Sequence, residues 1–367
     1  MLGSQRHLFD IPRDVAYLDA AAYSALPTVV REAGREGVQA KVHPWAMARD
    51  EAMVERVRAA AARMVGATPD DIALVGAVSH AIATAARNLE LPAGHRILRI
   101  ADEFPSLALV FDRLAAERGL VLDVVARPAN GDWTSALLAA IARPGPPLAL
   151  AALTPLHWSD GALIDLDRVV PAVRAAGGAV VIDATQAVGV LDLDVRRLQP
   201  DFLAFPTYKW VLGPYSLAFL YAAPARQHGL PVEENGSNRP AGGFAPGARR
   251  YDRGERNDPI GLPMAAAGME LVAGWGAAAV AARLRGLTDT LAEAARGLGL
   301  DVLPRERRAP HILGLRLPGG MRPGLIEALA ARGAYASDRL GVLRVSPHVW
   351  ADEEDVTHFA EALRAVI

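Results

Sequence analysis

Between residues 70 and 225, short apolar runs alternate with segments whose apolar positions recur at helical spacing. The runs Ile72–Val75, Arg96–Ile100, Val121–Val125, Leu148–Leu153, Ala179–Asp183, Phe202–Phe205 and Leu217–Tyr221 predict strands. Several are continuously apolar, the pattern of strands covered on both faces. Between them, Ser79–Leu89, Ser106–Arg118, Ser135–Ala142 and Leu166–Ala176 predict helices. Such alternation builds an α/β fold with a mostly parallel central sheet and helices on both faces. Ligands of such sheets gather beyond the C-terminal ends of the strands.

The pattern changes after residue 227. Residues 228–261 are rich in Gly, Pro, Asn and Arg and predict a loop carrying Arg249, Arg250, Arg253 and Arg256. A solvated surface segment and a subunit-interface or active-site segment both fit it. Met264 to Arg285 predicts one long helix. Strand His311–Leu317, helix Gly324–Arg332, strand Val342–Ser346 and helix Asp352–Val366 then predict a smaller α+β unit. A chain of 367 residues suggests two domains. The expected division is an N-terminal segment 1–30, a large domain 31–265 and a small C-terminal domain 266–367, joined by the helix at about 264–285.

Composition removes several classes of function. A net charge of −2 leaves no footprint for nucleic acid or an anionic membrane. No apolar run reaches the roughly eighteen residues of a membrane span. Residues 1–12 carry His, Arg and Asp and no apolar stretch, so a cytoplasmic location is expected. Zero cysteines remove disulfides, thiolate metal sites and cysteine nucleophiles. The nine histidines are scattered without metal-pair spacing, and no metal is expected. There is no Gly-Lys-Ser/Thr phosphate loop and no G-x-G-x-x-G after a strand.

Of 39 basic residues only Lys41 and Lys209 are lysines. A bias toward Ala and Arg accounts for the general scarcity. A position that keeps Lys in such a chain needs what Arg cannot supply, an amine able to lose its proton and act as a nucleophile. Lys209 follows Phe205-Pro206-Thr207-Tyr208 and precedes Gly213-Pro214; upstream, Ala179-Val180-Val181-Ile182 ends in Asp183. A carboxylate at one strand end and a lysine after a later strand suit pyridoxal 5'-phosphate (PLP), whose Schiff base needs the amine and whose pyridinium needs the acid.

These motifs, from Tyr17-Leu18-Asp19-Ala20-Ala21 through Asp183-Ala184-Thr185-Gln186 and Tyr208-Lys209 to Leu343-Arg344-Val345-Ser346-Pro347-His348, resemble the class V aminotransferase group of fold-type I PLP enzymes. That group includes cysteine desulfurases, kynureninase, isopenicillin N epimerase-like proteins and C–S lyases. The resemblance covers nearly the whole chain. It implies the PLP-transferase fold, a homodimer with a shared active site, and an amino-acid substrate.

It also implies roles. Lys209 would carry the cofactor and then shuttle a proton at the substrate Cα. Asp183 would face the pyridine nitrogen; a helix cap or turn is the alternative for an Asp at this place. Gln186 would contact the cofactor's phenolic oxygen, though a capping partner of Asp183 has the same spacing. Ala77, Val78 and Ser79, where a strand gives way to a helix, would hold the phosphate through backbone N–H groups and a hydroxyl. Tyr208 would reach the phosphate, as in kynureninase. Pro206 stands where desulfurases have Ser, and Thr207 would compensate for the lost donor. Phe104, in Glu103-Phe104-Pro105-Ser106, would stack on the ring, with core packing as the alternative. Trp158 or His157 would line the pocket or anchor a loop. Arg344 would grip the substrate carboxylate with its planar fork, and Tyr23 would also meet the substrate. In Gly254-Glu255 the family's usual Thr is replaced by an acid, which leaves Arg256, Asn257 or the backbone for any phosphate contact across the dimer.

The expected activity is a PLP-dependent transformation of an α-amino acid, most directly transamination. A β-lyase, a kynureninase-like hydrolase and an amino-acid epimerase are the alternatives. A non-catalytic protein of the same fold is a further one.

Overall fold

The computed structural model describes residues 2–47 and 50–367. Its centre is a seven-stranded sheet in the order Ile72–Val75, Ala218–Ala222, Phe202–Pro206, Ala179–Asp183, Leu148–Leu153, Arg96–Ile100, Val121–Val125. Only Ala218–Ala222 runs antiparallel to its neighbours. The five strands from Ile72–Val75 to Leu148–Leu153 in that order are buried throughout, as continuous apolar runs require. The edge strand Val121–Val125 is largely exposed and carries Asp123. The predicted strands stand within one or two residues of their expected ends.

The helices obey local signals. Pro105 opens Pro105–Arg118, and Gly119 closes it in the left-handed region with φ 66°. Asp132 caps Trp133–Ala142 by accepting from the Ser135 N–H at 3.0 Å.

A four-stranded antiparallel sheet, Ser337–Arg339, Val342–Val345, Leu313–Arg316 and Asp301–Val302, forms the C-terminal unit with the helix Glu353–Val366. The N-terminal segment is laced onto it. Ala16–Tyr17 pairs in parallel with Ala334–Tyr335, and Arg6 forms a buried ion pair with Asp355 at 2.7 Å. The N-terminal helices Thr28–Lys41 and Glu51–Met64 have no counterpart in the sequence reading; both pack on Gly261–Trp275.

One expectation is corrected. The single helix read from Met264 to Arg285 is two helices, Gly261–Trp275 and Ala277–Gly297, with a turn of 77° between them. Periodicity and small residues continue across the break, which is why the sequence read straight through. Gly276 makes the turn with φ 78° and ψ 136°, a conformation that side chains disfavour. Gly268 is needed for another reason. A β-carbon there would lie 2.6 Å from the Val211 carbonyl oxygen, just beyond Lys209 in the chain.

A β-carbon at position 276 meets nothing within 4 Å, so Gly276→Ala tests backbone strain alone. Unfolding in denaturant is expected to show a loss of about 1–3 kcal/mol. An unchanged midpoint would show that the turn tolerates a side chain.

Candidate active site

The C-terminal ends of five strands face one cavity of about 260 Å³. Gly76, Ala77, Val78 and Ser79 follow Ile72–Val75, while Glu103, Phe104 and Ser106 follow Arg96–Ile100. Thr154 and Trp158 follow Leu148–Leu153, Asp183 ends its own strand, and Tyr208 and Lys209 follow Phe202–Pro206. Thr185, Gln186, Tyr215, Ser216 and Leu217 complete most of the wall. The parallel strands therefore bring together residues from widely separated stretches of sequence, at the place expected of such a sheet.

Lys209 is buried, and its Nζ lies 5.8 Å from the Phe104 ring centre and 5.4 Å from that of Tyr208. Burial, then the charge of Arg344, pushes its pKa down to about 8, against the opposing pull of Asp183. The loop that holds it closes on itself: Thr207 N–H donates to the Leu217 carbonyl at 3.1 Å and Gly213 N–H to the Thr207 carbonyl at 2.8 Å. Leu212 and Ser216 take positive φ of 57° and 60° within it, local strain at the site.

Asp183 is buried and accepts from the Thr185 N–H at 2.9 Å. Burial raises its pKa; Thr185 and the Lys209 charge oppose that rise. Glu103 is a second buried carboxyl in the same wall. Its Oε1 accepts from the Phe104 N–H at 2.7 Å, and burial is the main reason that its pKa rises to about 8.

The first turn of Val78–Arg87 has the geometry of an anion cradle. Its cap residue is Ala77, not Ser79, and no side chain caps it, so its leading N–H groups stay available to a ligand. Ser79 adds a hydroxyl to the same wall. Phe104 is 40 % exposed and meets Trp158 edge-on with ring centres 5.5 Å apart, rather than being packed in the core. Trp158 Nε1 donates to the Asp102 carbonyl at 2.8 Å. Tyr208 stacks on Tyr215 at 4.4 Å.

Other expected residues stand differently. Thr207 is buried away from the cavity and its hydroxyl donates to the Pro214 and Leu217 carbonyls, so it does not replace the missing phosphate donor. His157 is buried behind Trp158, stacked on Trp133 at 5.4 Å with Arg127 Nη2 2.9 Å from its Nε2; it anchors the loop. Arg344 is outside the cavity lining. Its Nη1 donates to the Trp158 carbonyl at 3.1 Å and its Nη2 to Asp19 at 3.3 Å. Burial lowers its pKa to about 10. Tyr23 is 61 % exposed and also outside the lining; its ring lies 6.1 Å from Tyr215. Gln186 lines the cavity while its Nε2 donates to the Ala21 carbonyl at 3.1 Å and its Oε1 accepts from Trp210 Nε1 at 2.7 Å. Arg249 and Arg256 form ion pairs within their own chain, and Arg253 donates to the carbonyl of Ser216 in the cavity wall.

The sequence reading assigned no role to Glu103, Thr154, Tyr215 or Ser216. Glu103 was adjacent to a residue singled out, but one acid among 41 Asp and Glu carries no signal of burial.

The fold, with a buried lysine and a buried aspartate at neighbouring strand ends, defines a PLP-dependent enzyme of fold type I. The chain belongs to the aminotransferase class-V family, which matches residues 16–336. It is 30% identical over 341 residues to isopenicillin N epimerase of Streptomyces clavuligerus, covering 86% of this chain and 85% of that one. It is likewise 30% identical to kynureninase of Stenotrophomonas maltophilia over 342 residues, 84% of this chain and 80% of that one. Among solved structures, the apo cysteine desulfurase of Thermococcus onnurineus superposes with a TM-score of 0.85 at 21% identity, over 98% of this chain and 96% of that one. The cystine C–S lyase C-DES, in complex with cysteine persulfide, gives 0.86 at 21% identity over 96% and 98%.

PLP is the cofactor of this class, and the donor set fits it: a depressed amine, an acid and a run of free N–H groups line one cavity. Only the neutral amine attacks a carbonyl. The rate at which cofactor-free protein takes up PLP covalently is therefore expected to rise about tenfold from pH 7 to 9, following deprotonation of Lys209. Stopped-flow absorbance measures it; a rate independent of pH would show that the amine is already neutral at pH 7.

Proposed function

We propose that this protein acts on an α-amino acid and that Lys209 moves the proton at its Cα. The observation that carries this reading is the burial of Lys209 with a pKa of about 8 in the cavity shared with Asp183. An amine poised near neutrality accepts and returns a proton with little driving force wasted. When bound, PLP supplies an electron sink for the bond that breaks at Cα. Asp183 would hold the pyridine nitrogen charged, since an adjacent anion favours the protonated form. Phe104 and Trp158 would cover the ring and keep water out. The N–H groups that follow Ala77, with Ser79, would take the phosphate, and Tyr208 and Gln186 would take further polar atoms of the cofactor. Arg344 would receive the substrate carboxylate by exchanging its contact with Asp19. The homodimer belongs to the same proposal, supported by the exposed Val38, Val42 and Trp45 beside Lys41. A cytoplasmic location is proposed with it.

The reaction we propose is amino-group transfer, in which one base serves one face of the substrate. A desulfurase route through a persulfide carried on the enzyme is closed to a chain with no cysteine, while a C–S lyase that releases its sulfur product directly needs none. The likeness to isopenicillin N epimerase favours a second reading, inversion at Cα, which needs a proton donor on the other face.

The PLP-loaded protein mixed with a panel of α-amino acids separates these. Amino-group transfer is expected to bleach the cofactor's visible band, restore it with a keto acid, and leave a keto acid product. Inverted amino acid without keto acid would establish the epimerase instead. Lys209→Ala is expected to abolish either outcome while the far-ultraviolet spectrum stays unchanged. Arg344→Gln is expected to raise the half-saturating amino-acid concentration at least tenfold, from an interaction of about 2–5 kcal/mol. Unaltered saturation would assign the carboxylate to another residue.

A further inference from the structure

Two carboxyls line the cavity, and their surroundings differ. Asp183 has the Thr185 N–H and the nearby Lys209 charge to support its ionised form. Glu103 is 8% exposed and has one backbone N–H, that of Phe104, on Oε1. Its Oε2 is buried without a hydrogen-bond partner among the described residues. The cation that faces it is Arg99, and Arg99 is already committed to Asp112 through both Nε and Nη2 at 2.7 and 2.8 Å. The remaining charge acting on it is that of Asp183 itself, which is repulsive. A buried carboxylate oxygen with no donor is among the most costly polar groups in a protein, whereas a carboxylic acid there carries no charge and is far less costly to bury.

We infer that Glu103 is a positioning residue of the cofactor site that works as a neutral acid: Oε1 fixes the backbone of Phe104, and Oε2 carries a proton beside the cavity that Asp183 shares. Two like charges on the wall of one cavity repel, and a single proton on the less supported carboxyl removes that repulsion. The site then presents one negative charge, on Asp183, and a polar neutral group beneath the aromatic wall. The same Oε1 contact sets the start of Pro105–Arg118, so the Phe104 ring is held at the angle from which it meets Trp158. This inference rests on the cofactor and is independent of which reaction follows.

The sign of its pH dependence is fixed. The folded protein holds the Glu103 proton up to a pKa of about 8, and the unfolded chain releases it near the ordinary glutamate value of 4.5. Between those values the folded state binds the extra proton, so its stability falls as pH rises. A glutamine at this position has no proton to lose and escapes that fall.

The test uses the full chain and two variants, with PLP affinity read by absorbance titration of cofactor-free protein and melting temperature read from pH 5.5 to 8.5. Glu103→Gln is expected to bind PLP within about threefold of the parent, and Glu103→Ala to bind about tenfold more weakly. The melting temperature of Glu103→Gln minus that of the parent is expected to grow by about 2 °C or more across the pH range. A glutamine variant as weak as the alanine variant would show that the ionised form is needed and overturn the inference. A melting difference flat with pH, or an alanine variant that binds PLP like the parent, would also overturn it. If the alanine variant does not fold, the glutamine variant decides alone. Because neither readout uses turnover, a failure here is distinct from a failure of the proposed reaction.

Discussion

Removing the Lys209 amine from water disfavours its charged form, and the chain around it offsets that only in part. Asp183 pulls the pKa up, while burial and the charge of Arg344 push it down, and the balance falls at about 8. Full compensation by a close carboxylate would leave an inert ammonium ion; burial without any carboxylate would leave an amine with no partner for the cofactor's ring nitrogen. The intermediate state requires Asp183 and Lys209 to share a cavity without pairing directly, and neighbouring parallel strands provide that. Asp183 ends one strand and Lys209 lies beyond the end of the next, in a loop closed by its own backbone hydrogen bonds.

The N-terminal segment and the C-terminal sheet complete this arrangement from outside the central sheet. Arg344 is held by Asp19 and by the Trp158 carbonyl, so one guanidinium joins three regions of the chain. Gln186 is fixed between the Ala21 carbonyl and Trp210 Nε1. A column of rings extends from there: His311 meets Trp210 edge-on at 4.3 Å, His348 stacks between Trp210 and Trp350 at 5.4 and 5.0 Å, and Trp350 stacks on Tyr17 at 5.9 Å. Burial lowers the pKa of His311 to about 3 and of His348 to about 4, so both stay neutral and serve as packing and hydrogen-bonding groups. The residue after Lys209 is thereby braced by both ends of the chain. That bracing is what a site on a loop needs if it is to hold a geometry with strained residues in it.

The carboxyl pair gives the cavity a second layer of control. Asp183 and Glu103 have the same functional group within one wall, and their hydrogen-bond partners differ. One has donors that support it as an anion, and the other keeps a buried oxygen with no hydrogen-bond partner among the described residues, where the neutral acid is the less costly form. Environment, more than residue type, assigns the roles, as expected wherever two acids share a low-dielectric site.

The sequence by itself determined the central sheet, because strands buried on both faces must be apolar throughout, and such runs are visible without any partner. It also singled out Lys209 and Asp183 as candidates, one rare amine and one acid at a strand end in a chain that writes its positive charge as arginine. What it could not show depended on contacts between distant segments. The break at Gly276 interrupts a pattern that continues on both sides, and only the backbone dihedrals reveal it. Thr207 carries a hydroxyl in the right stretch of chain, yet the closed loop turns it to backbone carbonyls. Glu103 and Tyr215 became cavity residues because separate loops converge. Local pattern records the period and polarity of each segment; which side chain loses its water, and which oxygen loses its partner, is decided only when the segments pack.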